Sequence, residues 1–221
     1  MGQRYRPSTD RILRMEYTEV IRRRRMVRQF SDRELSSEAI EKILASALRA
    51  PSAGFAQGWA FLVLTEAADR ARFWRFAPNQ ATHMPGSCAA PLIIVPLANE
   101  AIYIEHYRNK GSNLTAENWP APYWFIDTGM ATLLMLLTAV DEGLDGLLFW
   151  LVPPAERIKE GYPTAEHLDE FRAEFGVPAE YTPVGGVAIG YRSEDLAPQR
   201  PGLAEARRGL GEVVHRGHWG G

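Results

Sequence analysis

Eleven consecutive residues without a charge, MATLLMLLTAV at positions 130–140, constrain this chain more than any other feature. Taken from Phe125 onward, the run reads as one strongly apolar helix, and Gly143 is placed to end it. A membrane span needs about 18 or more apolar residues in succession, and this run falls short. The helix therefore belongs inside a protein core. The 221-residue length allows one, in a single large domain or two small ones. No repeat or linker-like shift in composition divides the chain. We read 1–221 as one domain with a loose lead-in over 1–16 and a C-terminal arm over 200–221.

Apolar content of 46% and charged content of 24% are ordinary for a globular protein. The net charge of −2 argues against a general nucleic-acid binder, for which a basic surplus is expected. Cys88 is the only cysteine, which excludes an internal disulfide and a cysteine-based zinc cluster. The first residues carry arginines but no apolar signal core, so the expectation is a soluble cytoplasmic protein without a membrane partner.

Local signals predict the remaining elements. Thr18 can cap a short helix carrying Val20 and Ile21 that ends in an arginine run. Ser36 is a good N-cap, with Leu35 and Ile40 spaced as a hydrophobic staple. Ile40, Ile43, Leu44, Ala47 and Leu48 recur with helical period, and Pro51 stops that helix at Ala50. Residues 54–58 form a loop. Strands are expected over 59–64, 91–97, 145–151 and 183–191, the third stopped by Pro153 and Pro154. A short amphipathic helix covers 167–175. Residues 100–119 are polar, aromatic and without a clear period, and read as a lid or insert. Tyr103, His106, Tyr107, Arg108 and Trp119 in it are candidate substrate contacts. Strands separated by long helices suggest a mixed α/β or α+β domain. An apolar central helix and a long tail hint at a dimer.

Several motif readings fail. GGVAIG at 185–190 lacks both dinucleotide-loop spacing and a following helix. No phosphate-binding G-x-x-x-x-G-K-[ST] loop and no G-x-S-x-G nucleophile elbow is present. His215 and His218 lack a third ligand, so no metal is expected. What remains is scattered. RRRRMVRQF at 22–30 supplies cations at a helix end. Pro51, Ser52, Ala53 and Gly54 supply a hydroxyl and free backbone N–H groups. Arg207 and Arg208 add cations near the C-terminus. Arginine forks match phosphate oxygens bidentately, so these groups suit one phosphorylated ligand. Trp59, Phe149 and Trp150 offer flat apolar surface to an aromatic ring. On spacing alone, arginines on a solvated face remain the competing explanation.

In this order the segments resemble the FMN-dependent nitroreductase family. That family opens with a helix followed by R-R-S-x-R-x-F, matched here by Arg24, Arg25, Met26, Val27, Arg28, Gln29 and Phe30. A helix then runs into A-P-S-x-x-N-x-Q-P-W-x-F, matched by APSAGFAQGWAF at 50–61. A long apolar helix, a G-L-G-like turn at 143–146, a strand, a closing strand at 184–191 and a tail with paired basic residues complete the likeness, which covers nearly the whole chain from Tyr17.

The resemblance implies an α+β sandwich with a mostly antiparallel central sheet flanked by helices, as an intertwined homodimer with FMN at the interface. It implies that Arg24, Arg25 and Arg28 hold the phosphate, ribityl and ring-edge oxygens, with Arg207 and Arg208 completing the phosphate clamp. Pro51, Ser52 and Ala53 would line the flavin from the partner chain. Backbone around Leu148, Phe149 and Trp150 would approach its face. Arg22 and Arg23 lie outside the motif and read as solvated surface. Met26 stands where the family usually has Ser, Phe55 where it has Asn, and Gly58 where it has Pro. Phe55 is then a wall of the substrate pocket.

The activity implied is hydride transfer from NADH or NADPH to FMN, followed by reduction of a small acceptor such as a nitroaromatic or quinone. This ping-pong order needs no catalytic side chain because the cofactor carries the chemistry. A carrier or sensor that binds FMN or deazaflavin without turnover is the alternative.

Overall fold

The computed structural model describes residues 15–153, 165–203 and 205–220. Most of the expected lead-in and Pro154 lie outside the described residues, but the strand expected to run to Leu151 ends at Phe149, before either proline. Helix α1 (Tyr17–Arg23) ends in Arg22 and Arg23, where cations suit the helix dipole. Its N-cap position is Glu16, whose carbonyl accepts from Glu19 and Val20; Thr18 lies inside the helix rather than capping it. Helix α2 (Ser37–Ala47) starts as expected, with the Ser36 hydroxyl accepting from the Ala39 N–H at 3.2 Å. Strand β1 (Trp59–Leu64), helix α3 (Ala67–Trp74), helix α4 (Pro78–His83) and strand β2 (Leu92–Asn99) follow. The two helices were not foreseen. They are short, and only Phe73 among their residues is fully buried, so neither shows an apolar stripe.

Residues 100–119 require a correction. Their first half is helix α5 (Glu100–Arg108), capped by the Asn99 side chain, which accepts from the Ile102 N–H at 3.2 Å. Tyr103 alone is fully buried on it, too narrow a stripe to show as a period. Next come helix α6 (Tyr123–Asp141), strand β3 (Asp145–Phe149), helix α7 (Ala165–Phe175), strand β4 (Tyr181–Pro183), strand β5 (Gly186–Gly190) and helix α8 (Leu210–Val213). Of the strand expected over 183–191, Gly186–Gly190 is β5, while Pro183 closes the separate β4. At the break, a Cβ on Gly185 would stand 2.6 Å from the Phe149 carbonyl oxygen, so the chain passes β3 at a distance only glycine permits.

The sheet runs β1-β2-β5-β3, with β4 also paired to β2, and every pairing of these strands is antiparallel. All of β2 is buried. Its side chains alternate as a pleat requires. Ile93, Val95 and Leu97 join Phe73 and Phe171 on one face. Leu92 and Ile94 join Ile43 and Met135 on the other. Helices therefore cover both faces, an α+β sandwich. Pro96 falls opposite the gap between β4 and β5, the one place in a central strand where a missing N–H breaks no ladder. Helix α6 is long and apolar enough to cross a bilayer by composition, yet it packs on α2, β2 and β3 and buries Asp127, Thr128 and Thr132. It is a core helix.

Candidate functional site

Beyond α1 the arginine segment runs extended along the sheet edge. Val27 donates to the Gly146 carbonyl at 3.1 Å, and Met26 forms a parallel bridge to Gly146. Phe30 donates to Gly86 at 3.0 Å, Ser31 to Tyr191 at 2.9 Å, and Ser193 donates to Gln29 at 3.1 Å. Val27 and Phe30 are buried anchors. With both faces of the segment tied down, its arginines are held at the surface as a fixed array.

That array, with Arg192, residues 196–200, Leu203, Ala206 and Arg207, lines a cleft of about 1040 Å³. Among the described residues, eight of the sixteen that line it are arginines and none is acidic, so this lining favours anions. Not every arginine is available. Glu19 takes both Arg22, at 2.6 Å, and Arg23, at 2.5 Å, and these hydrogen bonds hold its carboxyl down at about 2. Arg192 is engaged by the buried Asp145 through two bonds of 2.7 and 3.1 Å. Among the described residues, Arg24, Arg25, Arg28, Arg200 and Arg207 make no ion pair, and Arg28 donates only to the Met26 carbonyl at 3.2 Å. The Arg25 Nε is buried with no hydrogen-bond partner. A buried guanidinium N–H is costly to leave unpaired, so this atom suits an oxygen the chain does not supply. The donor set and the missing acceptor fit a phosphate monoester such as that of FMN.

Of the adjacent pair Arg207 and Arg208, only Arg207 lines the cleft. Arg208 pairs with Glu212 instead. Met26 has lost the hydroxyl usual at its position, and its sulfur lies 3.5 Å from the Leu148 N–H. Leu148 and Trp150 are exposed, Trp150 at 63%. Trp59 and Phe149 correct the expectation of a flat apolar surface: both are buried, and Phe149 stacks on Trp74 with ring centroids 5.3 Å apart. Their size, which suggested a platform, is used to fill the core.

The loop from Ser52 to Gln57 does not line the cleft. Nor are all its amides free, as the sequence suggested. Ala53 N–H donates to Asp127 Oδ2 at 2.7 Å, and Gln57 N–H donates to Ser52 Oγ at 3.0 Å. Gly54, Phe55 and Gln57 all have positive φ, and the Phe55 ring is 73% exposed. Left-handed backbone is uncommon for a bulky residue and is tolerated by Asn, the residue usual here.

Sequence reasoning missed Asp127, which is 1% exposed in the most apolar helix. The signal was a lone carboxylate on a core face. Its Oδ2 also accepts from the Tyr103 hydroxyl at 2.8 Å. Burial, and then this hydrogen bond, push the Tyr103 phenol far above the usual tyrosine value. A raised folded-state pKa means that the contribution is whole below tyrosine's ordinary pKa of about 10 and is lost as pH rises beyond it. Urea unfolding from about pH 8 to about pH 11 is expected to lose stability above about pH 10, and less so in Tyr103→Phe. Identical alkaline profiles for the two proteins contradict this assignment.

The model of the nitroreductase family matches residues 21–191. The chain belongs to the nitroreductase family. A protein of Archaeoglobus fulgidus, provisionally named an NADH dehydrogenase/NAD(P)H nitroreductase, is 28% identical over 192 residues, spanning 84% of this chain and 88% of its own. A similarly named protein of Methanothermobacter thermautotrophicus is 24% identical over 185 residues, 84% of this chain and 82% of its own. Among solved structures, an FMN-dependent nitroreductase of Clostridium difficile superposes with a TM-score of 0.64 at 21% identity, over 90% of this chain and 98% of that one. At such identity the likeness establishes the nitroreductase fold, in agreement with the antiparallel sandwich described above.

Proposed function

We propose that this nitroreductase-family chain is a flavin-dependent oxidoreductase that takes hydride from NADH or NADPH onto FMN and reduces a small acceptor such as a nitroaromatic or quinone. The observation that carries the reading is the array of unpaired arginines, with the partnerless buried Nε of Arg25 at its centre. The names of the relatives, NAD(P)H nitroreductases and an FMN-dependent enzyme, support it. When bound, FMN supplies the hydride and electron transfer. Arg24, Arg25, Arg28 and Arg207 hold the phosphate and ring-edge oxygens, and their charge stabilises the negative charge that develops when electrons arrive. Arg208 joins the clamp only after leaving Glu212. In a ping-pong order, donor and acceptor would use the bound flavin in turn, which would ask no nucleophile of the protein. Reduced nicotinamide nucleotides are cytoplasmic substrates, and the reading puts the protein with them.

The active unit of this reading is a homodimer. Phe125, Ile126 and Leu133 stand exposed along one side of α6, with the bare Gly129 between them. Tyr17 and Ile21 on α1 are exposed as well. An apolar stripe of this kind calls for a partner. A second copy would bring Pro51, Ser52 and Ala53 to the flavin and set Phe55 against the substrate.

Exposed Phe55 also favours a second reading, a carrier that shields bound flavin from reductant. Visible absorption before and after anaerobic NADH and NADPH separates the two. Bleaching of a flavin band is the expected result. A band that persists supports the carrier, and no uptake of either added FMN or added deazaflavin sinks both.

A further inference from the structure

The loop that carries Phe55 is held by groups outside the flavin motif. Asp127 Oδ2 receives two donors, Tyr103 OH at 2.8 Å and Ala53 N–H at 2.7 Å. Both short contacts meet one oxygen of a carboxylate buried within an apolar helix. Burying a carboxylate there is expensive unless it is hydrogen-bonded, and apolar packing would serve the core equally well. The pair also depends on a local departure from the family pattern. A Cβ on Gly58 would stand 2.3 Å from the Tyr103 ring and 2.9 Å from the Asn99 carbonyl oxygen, so the ring occupies the space that glycine leaves open. Gly54 likewise makes room for Tyr107, whose hydroxyl would stand 2.8 Å from a Cβ there, and its carbonyl accepts from His106 at 2.8 Å. Helix α5 thus grips the loop at both ends.

We propose that Asp127, oriented by Tyr103, is a positioning residue that clamps the Ala53 N–H and so fixes the left-handed turn presenting Phe55 to the flavin and its substrate. The proposal rests on the oxidoreductase reading for its consequence and on the hydrogen bonds alone for its geometry. A merely structural role would leave the loop and the cofactor environment unchanged once the protein is folded.

Two measurements on the full chain test it. In flavin-free protein, amide hydrogen exchange at Ala53 is expected to accelerate about tenfold or more in Asp127→Ala, the scale of one lost hydrogen bond to a charged group. In FMN-loaded protein the same variant is expected to shift the visible flavin band and to raise the KM for both NADH and a quinone. Tyr103→Phe gives smaller changes of the same kind, and Gly58→Ala, which displaces the Tyr103 ring, gives them with Asp127 intact. Asp127→Asn keeps an acceptor oxygen and restores Ala53 protection. Phe171→Leu, on the other face of the sheet, lowers Tm and changes none of these signatures. The proposal is overturned if Asp127→Ala and Tyr103→Phe lose only Tm and keep wild-type exchange, flavin band and KM. Should Asp127→Ala not fold, Tyr103→Phe and Gly58→Ala decide alone. If the wild-type protein takes up no FMN, the oxidoreductase reading fails and the cofactor consequence falls with it, while exchange at Ala53 still decides the clamp.

Discussion

Arg25→Ala is expected to weaken FMN binding by about tenfold to a hundredfold, the loss that follows removal of a charge-assisted fork on a phosphate. Arg25 is chosen because its Nε is buried and lacks a partner, so its desolvation is offset only when an acceptor arrives. Arg22 is the matched control. It lines the same cleft but is bound to Glu19, and Arg22→Ala should change the affinity by about twofold at most, as exposed ion pairs contribute little. Fluorescence titration with FMN measures both. Equal, small effects for the two variants contradict the phosphate clamp and leave the array as a solvated face.

Leu133→Arg is expected to abolish a stable dimer and, with it, flavin retention. Leu133 is 48% exposed at the C-terminal end of the apolar stripe on α6. A guanidinium placed there must be desolvated at the interface against no counter-charge. The penalty is on the order of 4 kcal/mol, about a thousandfold in dimer affinity. Sedimentation gives the oligomeric state, and absorbance at the flavin band reports retained cofactor. A variant that stays dimeric puts the interface elsewhere. A wild-type monomer that holds FMN contradicts a site shared between chains.

The elements with strong signals were legible. Ser36 and the apolar positions Ile40, Ile43, Leu44 and Ala47 mark α2 because caps and periodicity act locally, but the helix ends at Ala47, three residues before the stop expected from Pro51, and Leu48 is exposed. The run at 130–140 defines α6, since its apolar residues have few other places to go. Helix α5 was not legible. It buries one side chain fully, and its start depends on an Asn99 cap at the end of a strand. The break at Val184–Gly185 was equally hidden, because it follows from how closely β3 passes, a distance no local pattern records.

For the candidate site, residue types and order alone marked 24–30 and 50–61 as anion-binding and loop segments, and placed both in a family pattern. These are properties of adjacent residues, which chain order preserves. Which arginines remain unpaired was decided only in three dimensions. Glu19 neutralises Arg22 and Arg23 from the preceding turn, Asp145 claims Arg192 from 47 positions away, and Arg208 turns to Glu212. The role of Asp127 likewise exists only after folding, when α6 carries its carboxylate to an amide 74 positions earlier in the chain. Composition and spacing determine which groups a chain possesses. Availability depends on which groups have already found partners, and those partners are assembled by packing across the sequence.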